Sequence, residues 1–149
     1  MIRHIWTVIC LRAVIDKESN NVSLFDVLEE VRITMSESNI EEPMIPFPVK
    51  IVWVTTWQRE PIEYPGHSRG KDTILSPTGK IVVENEYPID LSKHKRLRTK
   101  RNVANFPVSE SGMYSFRTQI WNEEKNAWEG VSEIPVDISV ETKKKNRET

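Results

Sequence analysis

Apolar and polar residues alternate strictly in the last third of the chain, over 113–120 and again over 128–140. A polar turn at 122–126 separates the two stretches. Successive side chains of a strand point to opposite faces, so this period of two predicts a β-hairpin with one face on a core. The core-facing phase comprises Tyr114, Phe116, Thr118 and Ile120 on the first strand and Ile134, Val136, Ile138 and Val140 on the second.

Strand patterns also fill the first two thirds of the chain. Residues 2–14 are apolar in both phases and rich in β-branched side chains, which is typical of a central strand covered on both faces. Apolar and polar residues alternate again in the strand that contains Trp53, and Trp53 belongs to its predicted core face. Further along, a Ser-Pro-Thr-Gly turn at 76–79 joins two short strands. These strands are predicted at 48–59, 73–75 and 80–83, and another is predicted at 93–106.

The segment from Val22 to Met35 fits two patterns. Four apolar residues have helical spacing: Leu24, Val27, Leu28 and Val31. Alternate residues from 25 to 33 instead share one side of a strand, which is apolar except at Glu29. We favour one long strand with a bulge near Glu29 and Glu30, and partial helix remains the alternative.

Seven or eight short strands without a convincing helix predict an all-β, single-domain antiparallel β-sandwich. The domain spans 1–140, and 141–149 forms a charged, frayed tail. Irregular loops are expected at 36–48, 60–72 and 87–92. Pro135 cannot donate a hydrogen bond to a neighbouring strand, so the last strand is expected to be a sheet edge.

Three stretches carry a resemblance to a known family. They are Asn-Val-Ser-Leu-Phe-Asp-Val at 21–27, Pro-Thr-Gly-Lys at 77–80, and the C-terminal element that runs from 106 to 116 and ends in Ile-Pro-Val at 134–136. The chain resembles a family of small bacterial β-sandwich proteins of unknown function. That resemblance implies an immunoglobulin-like sandwich and favours the strand interpretation of 22–33, and it transfers no catalytic residue.

Composition narrows the possible roles. The net charge of −1 provides no overall field that would recruit nucleic acid or a membrane. The single cysteine, Cys10, excludes an internal disulfide and favours a reducing compartment. The apolar run Ile5–Leu11 is short and lacks a cleavage site, so we expect a cytoplasmic protein without a membrane span.

A basic run is the strongest polar signal. Six cations lie within nine residues, which is a pattern that binds the phosphates of nucleic acid or another polyanion. Strand alternation divides them between two faces, and cations on a strand also discourage edge-to-edge pairing. The candidate polyanion-binding residues are Lys93, Lys95, Arg96, Arg98, Lys100 and Arg101.

Five tryptophans are many for 149 residues. Trp6 and Trp53 are expected to fill the core, whereas Trp121 and Trp128 flank a polar turn and suit an interface as well as packing. With Met113 and Arg117, which share the outward phase of their strand, Trp121 and Trp128 form the candidate interaction surface.

Catalytic patterns are weak. The three histidines lie far apart without metal-ligand spacing, and His67 sits alone in a predicted exposed loop. We therefore expect no metal, no cofactor and no catalytic residues. The sequence favours a non-enzymatic binding module for a protein partner or for a second copy of the chain. Polyanion binding through 93–101 is the alternative, and an enzyme is the third possibility.

Overall fold

The computed structural model describes residues 1–36, 45–61, 63–64 and 66–143. Eleven strands lie in these ranges, rather than the seven or eight that the sequence predicts. The strands are β1 (Ile2–Ile15), β2 (Val22–Val27), β3 (Glu30–Ser36), β4 (Ile45–Pro46), β5 (Ile51–Arg59), β6 (Gly66–Leu75), β7 (Ile81–Leu91), β8 (Arg96–Val103), β9 (Pro107–Val108), β10 (Gly112–Asn122) and β11 (Ala127–Lys143). No helix in the described ranges is long and apolar enough to cross a membrane.

The strands form two main sheets, so the all-β prediction is confirmed. The first sheet has the order β2-β1-β5-β8 and is antiparallel throughout. The second sheet has the order β3-β11-β10-β6-β7, and only its β3–β11 pair is parallel. The short strands β4 and β9 pair with each other.

The two sheets face each other across a shared core. The Trp53 ring of β5 lies 5.3 Å from the Phe116 ring of β10, and the Trp53 indole N–H donates to the Thr118 hydroxyl at 3.0 Å. Tyr114, Phe116 and Thr118 are fully buried, and Ile120 is nearly so. The predicted core face of the last hairpin is therefore confirmed, because its apolar phase points at the first sheet.

The prediction of one long bulged strand over Val22–Met35 is wrong. The chain passes from the first sheet to the second at Leu28 and Glu29, which separate β2 from β3. The Leu28 N–H donates to the Ile9 carbonyl at 2.8 Å, and the Glu29 carbonyl accepts from the Asp137 N–H at 3.0 Å. Leu28 is buried at this crossing, which explains why an apolar side chain interrupts the strand alternation there.

Two predicted loops are also strands. Residues 66–72, expected to be irregular, belong to β6, and residues 87–91 belong to β7. Gly70 lies opposite Tyr87, and a Cβ at Gly70 would overlap the Tyr87 ring. Glycine is therefore required in the middle of β6 for close packing, although in the sequence it reads as a loop signal.

The last strand is an edge only along its first half. Among the described strands, residues 137–138 of β11 pair with both β10 and β3 and residues 139–143 pair with β3, whereas Pro135 lies in the stretch that pairs with β10 alone. The proline thus marks a local edge, and the prediction for the whole strand is wrong. β11 continues to Lys143, and the rest of the predicted tail, like 37–44 of the first loop, lies outside the described residues.

The far part of the β1–β2 hairpin packs over the outer face of the first sheet. Cys10 and Val54 are fully buried there, within a cluster that also contains Ala13. The Arg98 guanidinium of β8 donates to the Asn20 carbonyl at 3.0 Å, and the Lys100 ammonium donates to the Ala13 carbonyl at 3.4 Å. These contacts explain why the central strand β5 is buried on both faces.

Candidate interaction surface

Two tryptophans meet on the outer face of the second sheet. Trp121 of β10 lies directly opposite Trp128 of β11, and the two rings make an edge contact with centroids 5.4 Å apart. Both side chains are half-buried. Edge-to-face geometry is a favourable arrangement for aromatic pairs, so the pair holds its shape while part of each ring stays open to solvent.

Two cations from β6 lie against this pair. The Arg69 guanidinium is 4.8 Å from the Trp121 ring centroid and 5.4 Å from that of Trp128, and the Lys71 ammonium is 4.3 Å from the Trp128 centroid. Each distance is within the range of a cation–π interaction. We call Arg69, Lys71, Trp121 and Trp128 the tryptophan patch.

Pairing of β6 with β10 brings the cations to the tryptophans. Lys71 lies opposite Gln119, and the Ser68 hydroxyl donates to the Trp121 carbonyl at 2.9 Å. On its other side Arg69 approaches Glu86 of β7, with 3.6 Å between the nearest nitrogen and oxygen. The patch therefore rests on three adjacent strands, and regular strands hold side chains in place better than loops do.

The other two residues of the predicted surface lie apart from this patch. Arg117 pairs with Glu133 at 3.6 Å, and the Ser115 hydroxyl donates to the same carboxylate at 2.7 Å. The Ser115 hydrogen bond and the nearby Arg117 charge lower the pKa of Glu133. Met113 is more than half exposed at the far end of β10. At about 3.4 Å per residue it lies roughly 27 Å from Trp121.

The basic run is divided among three environments. Lys93 and Lys95 are exposed before β8 begins, and the exposed Arg96 donates to the Gln58 side chain at 3.0 Å. Arg98 and Lys100 extend over the outer face of the first sheet and donate to carbonyls of the β1–β2 hairpin, as described above. Arg101 points into the space between the sheets.

Arg101 belongs to a buried polar cluster that the sequence did not predict. Its Nε lies 3.4 Å from the carboxylate of Asp72, which is only 2% exposed, and the Tyr87 hydroxyl donates to that carboxylate at 3.3 Å. Burial raises the pKa of Asp72 to about 6, and this effect outweighs the opposing Arg101 charge. Burial also raises the pKa of Tyr87. The cluster joins β6 to β8 and thereby links the two sheets.

The predicted titratable candidates have simple surroundings. His67 lies 3.4 Å from Asp90, and both side chains are largely exposed. Burial raises the pKa of the Cys10 thiol, which is free and fully buried. In the parts of the chain that the structure describes, no three His, Cys, Asp or Glu side chains come together in a group that would hold a metal ion.

Arg69 and Lys71 are the residues that sequence reasoning missed. They were assigned to a loop because Pro65, Gly66 and Gly70 lie nearby. The signal that identifies them is the period of two in His67, Arg69 and Lys71, which places the three side chains on one face of a strand.

No protein-family model matches this chain, and a comparison with curated proteins finds no match. The geometry of the chain's own residues therefore carries the functional argument.

Proposed function

We propose that this protein is a non-enzymatic binding module that docks a protein partner on the tryptophan patch. One observation carries the proposal: Trp121 and Trp128 stand in contact on an open sheet face with Arg69 and Lys71 against their rings. Tryptophan and arginine are the side chains that most often dominate the energy of protein interfaces. A rigid aromatic pair also loses little conformational freedom on binding.

Charge indicates the chemistry of the partner. The Lys71 ammonium contacts the Trp128 ring, while Glu86 pairs with Arg69 instead. A partner surface that presents carboxylates beside apolar side chains would meet both the cations and the exposed parts of the rings. We therefore infer an acidic and apolar docking segment rather than a basic one.

We also propose a fold family and a cellular compartment for this protein. Two facing sheets with a shared core support an immunoglobulin-like sandwich, and the bacterial family of unknown function is the class we propose for it. The free, buried Cys10 supports the reducing cytoplasm as the compartment.

Polyanion binding through 93–101 is less well supported. Arg98 and Lys100 contact carbonyls of the hairpin, and Arg101 pairs with Asp72. Phosphate binding by these three cations would require them to leave contacts that stabilise the fold.

The test is capture of partners from the native host by the intact wild-type chain, followed by reconstitution with the purified partner. The test variant carries Trp128→Ser and Lys71→Ser. The control variant carries Val49→Ser and Lys50→Ser, which removes an exposed apolar side chain and an exposed cation away from the patch. Calorimetry should show similar affinity for wild type and control. The test variant should bind at least about tenfold more weakly, because a dominant interface anchor is worth about 2 kcal/mol or more and tenfold corresponds to about 1.4 kcal/mol.

Two results would overturn the proposal. One is a purified partner that binds the folded test variant as tightly as it binds wild type. The other is that wild type captures nucleic acid without a protein partner, and that a Lys93→Glu, Lys95→Glu, Arg96→Glu variant captures none. This second result would favour the polyanion function.

A further inference from the structure

We propose that β2 pairs edge to edge with β2 of a second copy, so that the first sheets of two molecules join into one. Among the described strands, β2 is the outermost of the first sheet and pairs with β1 alone. None of its six residues is buried. No strand in the described ranges pairs with its outer edge, so the backbone groups there can pair with another strand, which is the usual route by which sheet edges associate.

The other edges of the two main sheets carry the side chains that prevent such pairing. β8 presents a row of cations that includes Arg96 and Lys100, and β7 contains Pro88 beside Glu86. The parallel edge strand β3 begins with Glu30. Charges and proline protect exposed strand edges. β2 has no lysine, arginine or proline, and its sequence is Val-Ser-Leu-Phe-Asp-Val.

Exposed apolar side chains are concentrated on the same hairpin. Nine large apolar side chains are exposed among the described residues, and four of them belong to β1 and β2 near this edge. The Arg12 guanidinium lies 4.4 Å from the Phe25 ring centroid and leaves the rest of that side chain open. The four residues are Val14, Ile15, Phe25 and Val27, which are 46%, 43%, 41% and 54% exposed.

A second copy fits this edge better than a charged partner strand does. Asp26 has a left-handed backbone (φ 54°), which ends the flat part of the edge and restricts pairing to Val22–Phe25. All four residues are uncharged, so antiparallel pairing of two copies places no like charges opposite each other. With Leu24 of both copies on a two-fold axis perpendicular to the sheet, each Phe25 lies beside the small Ser23 of the other copy. Such an isologous contact satisfies both edges at once.

The test is sedimentation velocity on the full chain as a function of concentration. Three paired residues from each copy, 23–25, make a small interface, so we expect a reversible wild-type dimer at about 100 µM rather than a tight one. Phe25→Lys and, separately, Ser23→Lys should weaken association at least tenfold. Both positions are exposed, and circular dichroism checks that the variants fold. Ile81→Lys, at a 62% exposed position on β7, is the matched control and should dimerise like wild type.

Hydrogen exchange on wild type provides a second readout that needs no variant. Amides within 22–25 should become better protected as the concentration rises, whereas amides of the β7 edge should not. A wild-type protein that stays monomeric at about 500 µM would overturn the proposal, since this concentration is well above the ~100 µM at which we expect the dimer. A dimer that survives Phe25→Lys, or that is lost in Trp128→Ser instead, would also overturn it and would place self-association on another surface.

Discussion

At the scale of single residues, stability depends on aromatic side chains that span the two sheets. Phe116 is fully buried, contacts the Trp53 ring and makes an edge contact with Phe106 at 6.2 Å between centroids. Removing its ring leaves a cavity that flanking strands cannot close, so Phe116→Ala should lower the free energy of unfolding by ~3–5 kcal/mol. Urea denaturation measures this loss, and a loss below about 1 kcal/mol would contradict the burial of the ring.

Asp72 should make stability depend on pH. Its pKa in the fold is about 6, above the value near 3.9 in an unfolded chain, so the folded state holds the proton more strongly. The contribution of this carboxyl to stability is therefore fully present below pH 4 and is lost as the pH rises through about 6. From pH 4 to pH 7 the free energy of unfolding of wild type should fall relative to that of Asp72→Asn by roughly 2 kcal/mol.

The difference between the two proteins is the quantity to measure. Asp90 and Glu133 have lowered pKa values, so their contributions rise with pH in both proteins and cancel in the comparison. Urea titrations at several pH values give the difference directly. Parallel pH profiles for wild type and Asp72→Asn would show that Asp72 ionises normally.

At the scale of strands, the sequence predicts elements whose two faces differ. β10 was assigned correctly because one phase is apolar and the other polar, which is what a strand between a core and solvent requires. β6 was missed in part because both of its phases are largely polar over 66–72 and Gly70 resembles a loop residue. The end of β7 does alternate, with Ile89 and Leu91 on the buried phase, but Pro88 and Asp90 between them are typical of loops. The polar inner phase of β6 exists because Asp72 meets Arg101 between the sheets, and a pairing 29 positions apart leaves no local pattern.

The passage of the chain from one sheet to the other was unpredictable for a similar reason. β2 and β3 are separated by only Leu28 and Glu29, without the glycine or proline that usually marks an end. Their separation depends on tertiary hydrogen bonds to Ile9 and Asp137. The candidate surface shows the same limit: Trp121 and Trp128 could be paired from the hairpin, whereas Arg69 and Lys71 reach them only through the β6–β10 pairing.

At the scale of the whole molecule, the six cations of the basic run lie in different environments and do not form one surface patch. Arg98 and Lys100 donate to the hairpin that packs over the first sheet, and Arg101 lies between the sheets. Within the part of the chain that the structure describes, the other three cations contact neither the hairpin nor Asp72, and Arg96 donates to the Gln58 side chain. They lie at and just before the start of β8: Lys93, Lys95 and Arg96. The distribution predicts how this protein responds to salt.

Because Lys93, Lys95 and Arg96 are the accessible cations of the run, binding of this run to a nucleic acid can release only a few counterions. For single strands the logarithm of affinity falls with the logarithm of salt concentration by about 0.7 per phosphate contact, so we expect a slope no steeper than about −2. Fluorescence anisotropy with a labelled oligonucleotide between roughly 20 and 200 mM salt measures it. A Lys93→Glu, Lys95→Glu, Arg96→Glu variant should remove the dependence. If binding is confined to 93–101, a slope near −4 would require Arg98, Lys100 or Arg101 to bind phosphate, and would contradict their packing against the hairpin and Asp72.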